Sequence, residues 1–386
     1  MTADQVLVVE DTLPIRKFIM RARERVSIRI LFSILAFVAG VLPVQAQNAF
    51  WLPTPQTDPT EFGSLALDPS ESLALPAGQW AGAFNATYFN QWAGTWHTGR
   101  VHSDRHLQGQ SITEDEISYL EAAFPHDQIY RVDVEGYRSD LFLARGVGRG
   151  LTLSARVPWI EIGGPHWDAL AEDFHKVLPA SPSYQRDLFR RGDTLLFIQG
   201  HHGTIERRQE LSRSGVGDIV LAGSLALPGL FGADNTLAAA VQLPTGKKDT
   251  LQGSGGVDAG LRYFATWTRP HRSYFAGVGI NYQSSSGDFL GIQRSDSWNV
   301  IVGLDQPLTR RVSGTIRTRI DSSPLQRIVH EDLGRPVFYW RLGLLAKLAQ
   351  DRWIAFELGD ELLPQIGIDA DWSAHLTFGT RFGPTE

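Results

Sequence analysis

The chain has 386 residues, of which 42 are acidic and 36 basic, so its formal net charge is −6, and it has no cysteine. The lack of cysteine excludes a disulfide framework and a thiolate metal site, and no basic patch predicts a nucleic-acid partner. Trp, Tyr, Phe and Gly number 11, 9, 20 and 38, yet the mean hydropathy is only −0.15. This combination is typical of a membrane β-barrel, because alternate residues of its strands are polar.

Residues 1–46 predict an export signal. Four arginines lie in residues 21–29, an apolar run of 13 residues follows at 30–42, and Val44-Gln45-Ala46 provides a small-residue cleavage site. The run is too short for a transmembrane helix, so we expect a signal peptide that is cleaved after Ala46. Met20 stands where a conventional signal would begin, so residues 1–19 are interpreted as an over-long start.

Residues 47–78 are rich in Pro, Ser, Thr and Asp and show no sustained period. They predict an extended N-terminal arm, either periplasmic or plug-like. Residues 79–382 are dominated by a period of two, apart from a helical insertion, and residues 383–386 form a short tail. The last strand, 371–382, has one apolar and one polar face with aromatic rings at both ends of the apolar face, as in a strand that crosses a bilayer.

The alternating pattern predicts thirteen strands, and the connections between them alternate in length. Short connections such as TRPHR and QPLTR lie between long ones such as PTGKKDTLQGSGG, which is the arrangement of an outer-membrane barrel. We therefore predict an all-β fold, an antiparallel transmembrane-type β-barrel of about 10–12 strands, with 12 favoured. The predicted strands are 79–92, 129–147, 151–162, 194–199, 217–227, 236–243, 257–267, 273–283, 297–305, 312–321, 337–348, 353–359 and 371–382.

Two segments predict helices. Residues 111–124 have capping-box spacing at Ser111 and Glu114 and an apolar stripe. The longer insertion, residues 164–193, has an amphipathic pattern with an acidic face. An isolated amphipathic helix is only marginally stable in water, so we predict that the insertion packs at a barrel mouth or inside the lumen and gates or plugs it. Its candidate residues are Asp168, Phe174, His175 and Arg186.

Several charged residues fall on the faces opposite the apolar ones in the predicted strands. Facing lipid at the bilayer midplane, each would cost about 2–4 kcal/mol, so we predict that they line the lumen. Two roles remain open for them: they tune permeation, or they cross-link and plug a narrow interior. The predicted lumen-lining residues are Arg311, Arg317, Arg319, Arg341, Lys347 and Glu357.

Two sets of short motifs lie along the chain. The first set is Gly163-Gly164, Trp167-Asp168, Phe174-His175, Leu178-Pro179 and Arg186, and the second is Gly217-Asp218, Leu243-Pro244-Thr245-Gly246 and Gly253-Ser254-Gly255. Together they resemble the pattern of an uncharacterised bacterial exported family, the domain of unknown function 3187, over about residues 50–382. The chain departs from it by an extra residue before Trp167 and by its tail. The resemblance implies an exported barrel of unknown role and supplies no catalytic residue.

The sequence therefore predicts a non-enzymatic bacterial outer-membrane barrel, without cofactor or metal, that passes or binds a small solute or serves envelope structure. The expected partners are outer-membrane lipid and the barrel-insertion machinery. The alternative is an outer-membrane lipid or ester hydrolase that uses a barrel-wall histidine. His175 and Asp168 are seven residues apart, and no serine stands at a recognisable nucleophile spacing. The oligomeric state is left open.

Overall fold

The structure, a computed structural model, describes residues 65–66, 68–95, 113–127, 129–163, 195–199, 205–209, 213–284, 288–289, 292–325, 336–361 and 369–383. Within these ranges no helix is both long enough and apolar enough to cross a membrane. The predicted signal peptide (1–46) and the predicted insertion (164–193), with Asp168, Phe174, His175 and Arg186, lie outside the described residues.

In the described ranges the chain forms seventeen strands and one α-helix, α1 (Glu114–Ala123). The strands are β1 (Trp80–Gly94), β2 (Ile129–Gly148), β3 (Leu151–Ile162), β4 (Leu195–Gln199), β5 (Ile205–Gln209), β6 (Arg213–Val216), β7 (Ile219–Leu230), β8 (Ala233–Leu243), β9 (Asp258–Arg269), β10 (Arg272–Tyr282), β11 (Asp288–Phe289), β12 (Ile292–Gln293), β13 (Ser297–Pro307), β14 (Val312–Asp321), β15 (Val337–Ala349), β16 (Arg352–Glu361) and β17 (Asp369–Phe382). Two 3-10 turns lie at Pro69–Ser72 and Lys248–Thr250.

Twelve of these strands close into an antiparallel barrel, as predicted. Each barrel strand pairs with the next one in the order β1, β2, β3, β7, β8, β9, β10, β13, β14, β15, β16 and β17. The last strand then pairs with the first, from Trp80 opposite Phe382 to Trp92 opposite Asp369. Closure leaves no sheet edge within the barrel, which is the condition for strands to cross a bilayer.

One of the thirteen predicted strands, 194–199, corresponds to β4, which does not belong to the barrel wall. The last residue of β3, Ile162, pairs with Gly136, so β2 continues beyond β3 by the residues before Gly136. This leaves an open edge on β2, and β4 pairs with it between Ile129 and Asp133. The alternating pattern cannot distinguish such an extension from a barrel strand, because both have the same period.

The connections are short at one end of the barrel, the turn end, and long at the other, the loop end. At the turn end, two residues join β2 to β3 and two join β7 to β8. Helix α1 lies in the long β1–β2 connection, and its Ile117 and Leu120 pack against Ile129 and Phe197. The helix was predicted, but its cap assignment was wrong: the capping box is formed by Thr113 and Glu116. Both pairs have the same spacing, so the sequence did not distinguish between them.

The outer face of the barrel is apolar and exposed. Leu141 and Ile280, for example, are 59% and 60% exposed. Monomeric soluble proteins do not expose a continuous apolar surface of this extent, whereas a barrel in lipid requires one. Residues of this outer face are Phe84, Leu141, Leu153, Leu221, Leu237, Leu261, Val278, Val302, Leu344, Phe356 and Leu376.

Aromatic rings border this apolar band at both ends. At the turn end, the rings of Trp80 and Phe382 stack with centroids 6.2 Å apart. Along β10, Tyr274 lies near the turn end and Tyr282 near the loop end, both exposed. Eight residues of strand span about 27 Å, which a strand tilt of about 40° reduces to about 20 Å across the band. The band therefore has the height and borders of a membrane-spanning surface.

The outer face provides a direct prediction. Val278→Arg should reduce the folded, lipid-inserted fraction, because an arginine facing the bilayer midplane costs about 2–4 kcal/mol. The measurement is the fraction of protein with heat-modifiable gel mobility after folding into lipid vesicles. Gln350→Arg adds the same charge to an exposed turn at the turn end and should fold like the unmodified chain. Equal losses for both variants would contradict the assignment of Val278 to lipid.

Candidate functional site

The inner faces of β14, β15 and β16 carry a dense group of buried charges, which we call the lumen cluster: Arg317, Arg319, Asp321, Arg341 and Glu357. Arg317 Nε lies 3.2 Å from Oε1 of Glu357, and Arg319 Nε lies 2.6 Å from Oδ2 of Asp321. Arg341 stands opposite Arg317 in the strand register. Buried charges are tolerated when they are paired in this way. The Arg317–Glu357 pair links β14 to β16 across β15, whereas Arg319 and Asp321 lie on the same strand.

Small residues make space for the lumen cluster. A Cβ added to Gly343 would lie 2.4 Å from Cγ of Glu357, and one added to Gly359 would lie 2.8 Å from Cγ of Arg341. Each glycine is the cross-strand partner of the long side chain that it accommodates. The alternation of long charged side chains and glycines is therefore what lets this part of the wall hold so many charges.

The structure brings four of the six predicted lumen residues together and leaves two apart. Arg317, Arg319, Arg341 and Glu357 belong to the lumen cluster. Arg311 and Lys347 lie at the turn end, where both are exposed and where the Lys347 N–H donates to the Arg311 carbonyl at 2.7 Å. These two residues therefore border the mouth and do not contribute to the buried group.

Residues 68–78, which precede the first strand, run inside the barrel, and we call them the inner segment. The 3-10 turn within it, Pro69–Ser72, is held by a capping box: the Ser70 N–H donates to Asp68 Oδ1 at 2.9 Å, and the Asp68 N–H donates to Glu71 Oε2 at 3.1 Å. Proline at the first position of the turn already has the required φ. The local sequence thus fixes two carboxylates, Asp68 and Glu71, close together, and both are buried.

The carboxylate of Glu71 pairs with the wall. Its Oε1 accepts from Arg156 Nε at 3.0 Å and lies 2.9 Å from Arg156 Nη2. Arg156 Nη1 also lies 3.8 Å from Oδ1 of Asp140, which pairs in turn with Arg138 at 3.0 Å. Because a buried ion without a partner is strongly destabilising, this contact is an electrostatic attachment between the inner segment and β3.

Further contacts hold the inner segment against several strands. The Leu75 N–H donates to Thr152 Oγ1 at 2.8 Å, and Ser224 Oγ donates to the Leu73 carbonyl. Leu73 and Leu75 also pack in an apolar cluster with Phe142, Leu345 and Trp353. The inner segment thus spans the lumen from β2, β3 and β7 to β15 and β16, in the half nearer the turn end.

At the turn end the inner segment is fastened to β2. The Gly78 N–H donates to the Gly146 carbonyl at 2.8 Å, and the Gly146 N–H donates to the Gln79 carbonyl at 2.9 Å. A Cβ added to Gly146 would lie only 1.9 Å from the Pro76 carbonyl oxygen. Glycine is thus required at position 146 for this close approach.

At the loop end, Asp218 joins the three pieces of the second motif set. Its side chain accepts from the Gly246 N–H at 2.8 Å, the Ser254 N–H at 2.7 Å and Gln242 Nε2 at 3.0 Å. A Cβ on Gly253 would lie 2.3 Å from Oδ1 of Asp218. Burial raises the pKa of the Asp218 carboxyl, and the bonds donated by the Ser254 and Gly246 N–H groups oppose that shift. The motifs therefore fold one loop rather than form a reactive site.

The inner face of β17 holds a serine and a histidine in contact. Ser373 Oγ lies 3.0 Å from Nε2 of His375, and Thr87 Oγ1 lies 2.9 Å from its Nδ1. Because the Thr87 hydroxyl donates to Asn85 Oδ1 at 2.6 Å, it accepts from Nδ1–H, which leaves Nε2 to accept from Ser373. A serine hydroxyl that donates to a histidine nitrogen has the arrangement of a nucleophile and its general base. Both side chains are buried, however, with Ser373 at 5% and His375 at 1% exposure.

Sequence reasoning did not single out Arg156, Arg262, Asp68 or Glu71. The signal for the two arginines was present, because each lies at an inward position of a predicted strand. The signal for the two acids was only the capping-box spacing of Asp68 and Glu71. Among the described residues no group of three His, Asp or Glu side chains could hold a metal ion.

No protein-family model and no curated protein matches the chain. Solved structures similar to it include the COG4313 outer membrane channel from Pseudomonas putida F1, with a TM-score of 0.48, 14% identity and coverage of 82% of this chain and 100% of that one. The P. putida toluene transporter TodX matches at a TM-score of 0.37 and 10% identity, covering 90% of this chain and 97% of that one. A Pseudomonas aeruginosa FadL homologue matches at a TM-score of 0.33 and 10% identity, covering 86% of this chain and 98% of that one. At these TM-scores the matches carry no inference about function.

Proposed function

We propose that the protein is a non-enzymatic bacterial outer-membrane channel that passes a small solute. One observation carries this proposal: a closed barrel of twelve strands combines an exposed apolar exterior with a charged interior. Charged interiors in such barrels tune which solutes pass.

The inner segment is the natural gate of this channel. Its apolar residues Leu73 and Leu75 and its turn Pro69–Ser72 fill the half of the lumen nearer the turn end, so a solute passes only when the segment moves. The predicted insertion 164–193 is a proposed second gate. It connects β3 to β4, whose facing ends lie at the loop end, and would act at the opposite mouth.

Solute permeation through vesicles tests the proposed function. Purified protein in lipid vesicles should accelerate the entry of small solutes, measured by swelling, relative to empty vesicles of the same lipid. The chain with Asp68→Asn and Glu71→Gln should accelerate it further, because the inner segment is then held less tightly. If neither protein permeates any small solute while both retain heat-modifiable mobility, the protein is not a channel.

A hydrolase is the second candidate, because Ser373 and His375 are in contact. We expect no reaction of Ser373 with a fluorophosphonate probe, since burial of both side chains keeps an ester from the hydroxyl. The measurement is probe incorporation into the folded protein in detergent and in lipid, with Ser373→Ala as the matched control. Labelling that Ser373→Ala abolishes would favour the hydrolase over the channel.

A further inference from the structure

Two buried wall arginines, Arg156 and Arg262, lie on strands that contact the inner segment. The acids of the wall lie beside Arg138, Arg317 and Arg319, at the short distances already given. For Arg156, the nearest carboxylate oxygen is that of Glu71, at 2.9 Å. Arg262 lies on β9, a strand that contacts the Pro69–Ser72 turn. The acidic turn of the inner segment thus pairs with Arg156 and lies next to the strand that carries Arg262.

Arg262 has two buried nitrogen atoms that donate no hydrogen bond among the described residues. It is 1% exposed, and its Nη2 donates to Asn299 Oδ1 at 2.6 Å. Among the described residues, its buried Nε and Nη1 have no hydrogen-bond acceptor. Guanidinium groups match carboxylates in shape and charge through paired N–H donors, so these donors suit a carboxylate.

The other charges near this place favour an anion as well. Arg156, Arg262 and Arg341 are all buried, and they lie on β3, β9 and β15. These strands belong to different parts of the barrel, so their guanidinium groups converge on the lumen from several directions. If the two acids of the inner segment left, the guanidinium group of Arg156 would lose its nearest negative charge and keep only Asp140, at 3.8 Å.

We propose that Arg156 and Arg262 form the solute-binding site of the channel, that the solute is a small carboxylate, and that Asp68 and Glu71 occupy this site when the channel is closed. The inner segment then acts as a built-in competitor: a carboxylate solute binds the vacated arginines and keeps the segment displaced. This inference rests on the proposed function, because it names the solute class of the same lumen.

The chain has no cysteine, so a single introduced thiol can report displacement of the inner segment. Ser72 is 5% exposed, and Ser72→Cys changes one atom of its side chain. We expect slow maleimide labelling of this variant in vesicles. Succinate at roughly ten times its Kd should accelerate labelling about tenfold, because binding to the displaced form shifts the equilibrium by that factor. Choline chloride at the same ionic strength should have no such effect.

Charge-neutral variants complete the test. Ser72→Cys combined with Asp68→Asn and Glu71→Gln should label rapidly with or without succinate. Ser72→Cys combined with Arg156→Gln and Arg262→Gln should lose the response to succinate. The control combines Ser72→Cys with Asp115→Asn and Glu121→Gln on α1, which removes the same two charges away from the lumen, and it should respond like Ser72→Cys alone. Absence of a succinate effect on Ser72→Cys would overturn the inference.

Reversal potentials in planar bilayers separate failure of the inference from failure of the channel. With Asp68→Asn and Glu71→Gln, the ratio of anion to cation permeability should rise by roughly fivefold, as expected when negative charge is removed close to an ion pathway. Permeation without this rise would leave the channel intact and overturn the carboxylate site. Absence of any conductance in this variant would count against the proposed function itself.

Discussion

Arg156→Gln should destabilise the folded protein by about 3–5 kcal/mol, the cost of leaving a buried ion without its partner. Glu71 would keep its buried position but lose both contacts to the guanidinium, at 2.9 and 3.0 Å. Asp140, 3.8 Å from Arg156, would lose a second counter-charge. The measurement is the free energy of unfolding in urea for the protein folded in lipid vesicles.

A double-mutant cycle separates the interaction energy of the Arg156–Glu71 pair from other effects of each substitution. The variant with both Arg156→Gln and Glu71→Gln should lose less stability than the sum of the single changes, because two neutral amides replace two ions. Arg145→Gln removes an exposed arginine at the turn end and should cost much less than Arg156→Gln. Equal costs for Arg145→Gln and Arg156→Gln would show that Glu71 does not depend on Arg156.

Gly146→Ala should detach the inner segment from β2. The added Cβ would lie 1.9 Å from the Pro76 carbonyl oxygen, so the two hydrogen bonds between Gly78, Gln79 and Gly146 cannot both persist. Overpacking of this kind costs about 1–3 kcal/mol. The result should be faster hydrogen exchange in residues 73–79 and a lower free energy of unfolding.

Gly82→Ala is the matched control for that change. Gly82 lies on the neighbouring strand β1, and the nearest heavy atoms to its added Cβ are 3.9 Å away, which is ordinary contact. In this variant, hydrogen exchange in residues 73–79 should be as slow as in the unmodified chain. Unchanged exchange in Gly146→Ala as well would mean that the inner segment is not fastened at Gly146.

The barrel was predictable because each of its strands alternates apolar and polar residues. A wall with lipid on one side and charge on the other forces a period of two, and the ends of the twelve barrel strands lie within three residues of their predicted positions. Strands β5, β6, β11 and β12 were not predicted. They have two to five residues, which is too short for an alternation to be distinguished.

The site was only partly predictable for a physical reason. Arg317, Arg319, Arg341 and Glu357 were found because a charge inside an apolar alternation can face only the lumen. The role of Glu71 was not found, because its partner Arg156 is 85 residues away in sequence. A 3-10 turn of four residues has no period to indicate what it contacts, so only the three-dimensional register places it against β3.

Single-channel recording tests the central claim, that the inner segment fills the passage of a membrane-spanning barrel, most directly. The comparison is between the protein with its inner segment and a chain shortened to begin at residue 78, each first shown to have heat-modifiable gel mobility. We expect the longer protein to remain closed or to open briefly, and the shortened chain to show a larger and steady conductance. The same conductance in both chains would contradict the account, because the inner segment would then not obstruct the passage.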